Sequence, residues 1–500
     1  MRWGYALPII VALATPGAWA AAPVSAVDAY VQAHQKEIVG QLDSMVRIES
    51  VAANPDGLTR QAAKLEGELR RRGFAARQIV EGGPPLVFGE LKARGARRTV
   101  IFYAHYDGQP VTPSQWASPP FDPVMRSGPL SARPSDIDWR ATKALDPEWR
   151  LFGRATSDDK AGIVAFLAAF DALKASGQRP KVNIKVVWEG EEEAGSPHLR
   201  ALLNANKALF AGDVWMIGDG PAHQSRRRTL YFGARGMMGL EATVYGPLSP
   251  LHDGHYGNWV RNPAAMAAEL IASLRAPDGN IMIPGYSDDV RPLAAPERAA
   301  IAALPPIEDG LKRQFGIGGS EGSEGLTMST MRPSINIRGL SAGKVGDSAT
   351  NSIPADAQIS IDFRLVPDET PEHIRAKVER YLTEQGWTIV SAAPDMAARL
   401  AHPRIVRLDW EGGYPALRAD MAIPVARAAA KAMGKDVALL PMMGGSVPIY
   451  LFEDVLHTPV IGLPLANHDN SQHAANENLR LGNLWDGIAS YAAMMTRLDW

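Results

Sequence analysis

Apolar residues recur at helical spacing near the start of the chain, at Val27, Val31, Ile38, Leu42 and Met45. This predicts an amphipathic helix over 27–51, lying on the surface of a first domain. A second helical pattern runs over 162–175, with Ile163, Phe166, Leu167, Phe170 and Leu173 on one face. Between and after these lie short apolar runs at 99–103, 182–188, 214–217 and 459–461, which read as buried strands. Strands alternating with helices predict an α/β domain with a largely parallel sheet. The middle of the chain is patterned differently. Stretches 240–245, 334–338 and 357–364 alternate apolar and polar every second residue, as half-exposed antiparallel strands do, with helical patterns at 262–274 and 371–384 between them. That combination predicts an α+β unit with helices on one face of its sheet. The α/β character returns after about residue 415. The expected organisation is a domain formed by 21–235 and 415–500, with 236–414 inserted into it. The chain has no internal repeats. Its glycine-rich segment 316–325 misses the G-x-G-x-x-G pattern because Glu321 interrupts it, and it reads as a flexible loop.

Composition narrows the chemistry. The 500 residues are 46% hydrophobic and 21% charged, an ordinary globular balance, and the length exceeds what one core supports. The formal net charge is −2 with no long basic run, so no nucleic-acid partner is expected. There is no cysteine, which removes disulfides, thiolate nucleophiles, iron–sulfur clusters and cysteine-bound zinc. Any metal must be held by His, Asp and Glu. Residues 1–20 read as a cleavable signal peptide: Arg2, then a short apolar run, then Pro16-Gly17 and Ala18-Trp19-Ala20. The run is too short to span a bilayer, so export without a membrane anchor is expected.

Polar clusters follow the predicted strands: His105-Tyr106-Asp107, Glu189 to Glu193, Asp219, and His473 in a later loop, with Ser157-Asp158-Asp159-Lys160 before a helix. In open α/β sheets, ligand sites gather at the carboxyl ends of strands. Taken singly, these residues read as helix caps or solvated charges. Gathered at one rim, so many carboxylates repel one another and lose solvation unless a cation joins them. His, Asp and Glu together suit hydrolytic zinc.

The motifs that carry these residues resemble those of the M20 metallopeptidases, a group including carnosinases, other dipeptidases, carboxypeptidases and deacylases. They are AHYDGQP (104–110), SPPF (118–121), GRATSDDKAG (153–162), EGEEEAGS (189–196), IGDG (217–220), ARG (234–236), NSIP with DFRLVP (351–367), GGSVP (444–448) and HAANE (473–477), in the family's order. The resemblance implies a zinc-exopeptidase-like catalytic domain carrying an inserted α+β lid and dimerisation domain. It implies two Zn2+ per chain, with Co2+ or Mn2+ able to substitute. His105 and Asp219 would hold one metal, Glu193 and His473 the other, and Asp158 would bridge them. Asp159 would not be a ligand. Glu192 would be the general base, and Asp107 would fix the tautomer of His105. His252 matches a lid histidine that reaches the partner subunit's site, which implies a homodimer. Asn351, Arg364, Gly445 and Ser446 match substrate-binding positions, with Arg364 clamping a terminal carboxylate.

Several positions depart from the common pattern. Ala155 replaces a glycine, Met442 stands where an arginine often precedes the GGS rim, and about 25 extra residues around 128–148 read as a surface excursion near the mouth of the site. His468-Asp469 reads as loop. Asp219, in place of Glu, resembles the dipeptidase and aminopeptidase branches. The leading expectation is an exported dipeptidase or related exopeptidase acting on short peptides with a free C-terminus. The competing one is an N-acyl-amino-acid amidohydrolase or carboxypeptidase with the same two metals. A non-catalytic binding protein would have lost ligands, and all are present. A serine hydrolase is disfavoured because Gly444-Gly445-Ser446 is not G-x-S-x-G.

Overall fold

The computed structural model describes residues 25–500. The predicted signal peptide lies outside them. Among the described residues no helix is long and apolar enough to cross a membrane.

The first helix, Ala26–Val46, begins at a capping box in which Ser25 Oγ accepts from Asp28 N at 3.1 Å. It buries Val31, Ile38, Val39, Leu42, Met45 and Val46. It ends five residues before the predicted boundary because the chain is needed elsewhere. Ser50 Oγ donates to Tyr106 O at 2.6 Å, and Gly108 N donates to Ser50 O at 2.9 Å. These bonds tie residues 47–51 to the loop that carries His105 and Asp107.

The large sheet has eight strands in the order 75–79, 86–91, 183–189, 99–105, 214–217, 460–462, 229–231, 438–440. Its centre is parallel: Asn183–Glu189, Thr99–His105, Val214–Ile217 and Val460–Gly462 all run one way, with His105 beside Glu189. The sheet as a whole is mixed. Ala75–Ile79 and Leu86–Leu91 form an antiparallel hairpin on one edge, as a six-residue loop must, and Leu86–Leu91 pairs antiparallel with Asn183–Glu189. Helices Ala26–Val46, Lys160–Ala175 and Leu481–Arg497 cover one face, where Phe102, Phe166, Trp188 and Tyr491 meet. Helices Leu199–Ala205 and Tyr450–Leu456 cover the other, where Trp215 stacks on Phe452 at 4.1 Å.

A second sheet of five strands lies between residues 236 and 414, in the order 334–341, 356–365, 236–245, 405–414, 388–390. Its first four strands are antiparallel and the last pair is parallel. Met238, Leu240, Ala242 and Val244 point into a core with Ile359, Ile361 and Phe363, under helices Pro263–Leu274 and Pro371–Glu384. The residues between them face outward, and Arg338 there pairs with Glu241 and Glu411. This is the period-two pattern seen in the sequence.

The extra segment docks on the first helix. Trp139 is buried among the residues of the first helix, Lys36 Nζ donates to Arg140 O at 2.7 Å, and Arg140 Nη2 reaches Asp43 at 3.0 Å. Leu145 N donates to Gln35 Oε1 at 3.0 Å. The segment carries apolar anchors as well as Pro and Asp, and these draw it onto the helix.

Candidate active site

Because the four central strands are parallel and adjacent, their carboxyl ends open onto one rim. In sheet order it receives Glu192 and Glu193, then His105 and Asp107, then Asp219, then the loop bearing His473. Asp158 arrives from the turn before helix Lys160–Ala175. Sequence positions up to 368 residues apart thus meet, as one count from 105 to 473 gives.

Asp158 sits at the middle. Its Oδ1 lies 3.1 Å from His105 Nε2, and its Oδ2 lies 3.2 Å from His473 Nε2. The two histidines therefore address opposite oxygens of one carboxylate. On the His473 side, Glu193 Oε2 is 3.3 Å from His473 Nε2 and accepts from Gln109 Nε2 at 2.7 Å. On the other side, His105, Glu192 and Asp219 each place one donor atom within 4.8 Å of the others, and so do His105, Asp158 and Glu193. Glu192 Oε2 lies 3.9 Å from His105 Nε2, so Glu192 as well as Asp219 stands within reach of this cluster.

Asp107 faces the remaining nitrogen of His105. The shorter approach, 3.2 Å, is to its backbone carbonyl, and the carboxylate Oδ1 is at 3.4 Å. The carboxylate also accepts from Glu192 N at 3.3 Å and Glu193 N at 3.0 Å, so one side chain orients both the histidine and the glutamate pair. Asp159 is buried beside Gly218, next to Asp219, and its carboxyl is pushed up first by burial and then by the Asp219 charge.

The electrostatics are those of a cluster with too much negative charge. Burial, followed by the Asp158 charge, raises the Asp219 carboxyl to about 7. Burial also drives Glu192 well above the usual carboxylate range. His473 is raised to about 10 by its contacts with Asp158 and then Glu193. His105 is raised too, since its bonds to Asp107 and Asp158 outweigh burial. Protons here do what a cation would do. Glu193 Oε1 is buried without a hydrogen-bond donor, and Asp158 Oδ2 has only the approach of His473. Two imidazoles and carboxylates with unsatisfied oxygens fit divalent cations well.

The residues expected to bind substrate divide into two groups. Arg364 Nη1 donates to Ser446 Oγ at 2.8 Å, Arg364 Nε is held by Asp362 at 2.8 Å, and Arg235 N donates to Gly445 O at 3.1 Å. Arg364, Gly445 and Ser446 thus form one corner where the two sheets meet. Tyr414 belongs to this corner: it pairs with Met237, and its hydroxyl is raised by burial and then by the Glu192 charge. His252 and Asn351 are elsewhere. Both are exposed at a short two-stranded ladder where Leu251–His252 pairs antiparallel with Ser352–Ile353, about 100 residues further on. No hydrogen bond or ion pair among the described residues joins either one to the acidic rim. His468-Asp469 lies in a turn, in keeping with the loop reading, and Asp469 there accepts from Arg150 Nη2 at 2.7 Å and Asn467 Nδ2 at 2.8 Å. Gln109, Tyr414 and Glu477 went unassigned in the sequence. Gln109 and Glu477 lie inside quoted motifs, so their signal was present. Tyr414 lies in none.

Acids and histidines gathered at one rim of an α/β sheet suit a metal-dependent hydrolase. The comparisons make this specific. Residues 101–497 match the family described as Peptidase family M20/M25/M40. The chain belongs to this family and is a metallopeptidase that hydrolyses peptide bonds. It is 27% identical over 495 residues to Beta-Ala-His dipeptidase of Homo sapiens, covering 94% of this chain and 91% of that one. It is 26% identical over 483 residues to a Cys-Gly metallodipeptidase of Schizosaccharomyces pombe, covering 92% and 95%. The fold matches human carnosine dipeptidase 1 with a TM-score of 0.72 at 24% identity, covering 95% of this chain and 99% of that one. A metallo-carboxypeptidase of Sulfolobus solfataricus matches with a TM-score of 0.73 at 24% identity, covering 92% and 99%.

Proposed function

We propose that this chain is an exported dipeptidase that works with two zinc ions. The observation that carries the reading is Asp158, whose two oxygens are divided between His105 and His473 at 3.1 and 3.2 Å. A carboxylate so placed suits a shared ligand between two cations. His105 and Asp219 would complete one position, and Glu193 and His473 the other. Such a pair supplies Lewis acidity, acidifying water and polarising the scissile carbonyl.

The protein's own groups do the rest. Glu192, buried and raised, collects the proton released as water adds to the carbonyl carbon. It then delivers that proton to the nitrogen as the C–N bond breaks, leaving a free amine and a carboxylate. Asp107 keeps His105 in one orientation by facing its Nδ1. Arg364, steadied by Asp362, offers its guanidinium to the C-terminal carboxylate of the substrate, with Ser446 and Gly445 alongside. His252 serves the site of a second copy in a homodimer, which agrees with its exposure and its lack of contact with its own rim.

The relatives named for Beta-Ala-His and Cys-Gly cleavage support dipeptides as substrates. Arg2 and the Ala18-Trp19-Ala20 site support export. The test is turnover by the metal-depleted, then zinc-reloaded, mature chain. Free dipeptides are expected to be cleaved well ahead of their N-acetyl and C-amidated analogues. Faster release of acetate from N-acetyl amino acids would make it a deacylase.

A further inference from the structure

Glu477 is fully buried, next to the loop that carries His473, yet no step above uses it. Its carboxylate gathers five donors. Oε1 accepts from Ser157 N at 2.9 Å, Ser157 Oγ at 2.9 Å and Asp158 N at 3.0 Å. Oε2 accepts from Ala155 N at 2.8 Å and Arg154 Nη1 at 2.9 Å. The backbone continues the link: Gly153 N donates to Glu477 O at 3.0 Å, and Arg154 Nη2 to Ala474 O at 3.1 Å. The ladder between Arg150–Phe152 and Asn478–Arg480 sets this up, because Asn478 opposite Phe152 delivers Glu477 to the start of the Asp158 turn.

We infer that Glu477 is a positioning residue that fixes the distance between Asp158 and His473 and so shapes the second cation position. The inference rests on the metal reading proposed above. The geometry argues for a specific role over general packing. Every donor on this carboxylate comes from residues 154–158, the turn that ends at the shared ligand. Glu477 and His473 are only four positions apart in the chain. Three positive-φ residues, Ser471, His473 and Asn476, make that loop an arrangement the backbone does not choose by itself. One anion at its base holds both ligands against the same anchor. Glutamate is required because all five partners donate. An amide would turn one of the two accepting ends into a donor facing N–H groups.

The test is zinc binding by the full mature chain, read without activity. Wild type, Glu477→Gln and Ser157→Ala are stripped with a chelator, titrated with Zn2+ alone, and analysed for metal content after gel filtration. Wild type is expected to hold two ions per chain. Glu477→Gln is expected to keep its fold by circular dichroism, to retain one ion, and to bind the second about 10–100-fold more weakly. Ser157→Ala, which removes one of the five donors, is expected to weaken the same ion by a smaller factor. A folded Glu477→Gln that binds both ions as tightly as wild type overturns the inference. If that variant does not fold, wild-type affinity in Ser157→Ala overturns it. A wild type that takes up no cation overturns the metal reading itself, and the inference with it.

Discussion

Asp158 and Glu192 are close in space but bear opposite tasks, and their surroundings separate them. Asp158 is flanked by two imidazoles, which hold its carboxyl well below the usual range against the pull of burial. Glu192 has His105 at 3.9 Å and acidic neighbours, and burial raises it. Replacing Glu192 with Gln is expected to lower kcat by at least about 100-fold while both metals stay bound, as metal analysis of the same sample would read. Loss of a metal instead would make Glu192 a ligand. Replacing Arg364 with Ala is expected to raise KM by roughly 10–100-fold for free dipeptides, the worth of hydrogen bonds to a charged group, and to leave amidated analogues nearly unchanged. Ala155 shows why the related motif has glycine there. Its φ is +62°, a left-handed conformation that costs an L-residue roughly 1–2 kcal/mol. Glycine removes that cost but loosens the unfolded chain by about 0.4–1 kcal/mol. Ala155→Gly is therefore expected to stabilise by up to about 1.6 kcal/mol in chemical denaturation. The residues that meet at the rim were legible because each follows an apolar strand or stands in a recognisable motif. Tyr414 was not, because its place depends on a pairing with Met237 far away in the chain.

Elements were legible where one physical signal dominated. The four buried strands and the alternating strands of the second sheet are examples. The end of the first helix was not, because its limit is set by bonds from Ser50 to the loop at 106–108 and not by local propensity. The docking of segment 128–148 on the first helix was not legible, because composition describes its surface, whereas Trp139 decides where it docks. Trp139→Ala is expected to cost about 3–5 kcal/mol of stability, with kcat unchanged. A pH effect belongs to the turn that leaves strand Asp356–Leu365. There Glu369 caps Val366 N at 2.9 Å, and burial raises its carboxyl to about 7. An unfolded chain releases that proton nearer pH 4.5, the ordinary glutamate value. Between these values the unfolded state binds fewer protons, so stability falls as pH rises from about 4.5 to about 7. Glu369→Gln is expected to flatten that slope in denaturation curves at pH 5 and pH 7.5. An unchanged slope would assign it to other groups.

At the scale of the whole molecule, two sheets meet at Arg364 and Ser446, and the proposed reach of His252 into another site calls for a second copy. Nothing in a single sequence displays that copy, so the homodimer stands on the exposure of His252 and Asn351. Mixing Glu192→Gln and His252→Ala chains tests it. Random re-pairing makes about half of the dimers mixed, each with one site that has both groups, so about a quarter of wild-type turnover should return. No recovery would mean that each chain works alone. The central claim, however, is that Asp158 joins two cation positions. Anomalous scattering from zinc-loaded crystals at the zinc edge tests it most directly. Two peaks about 3.5–4 Å apart are expected, with an Asp158 oxygen beside each. A single peak, or a pair that leaves Asp158 untouched, would contradict it.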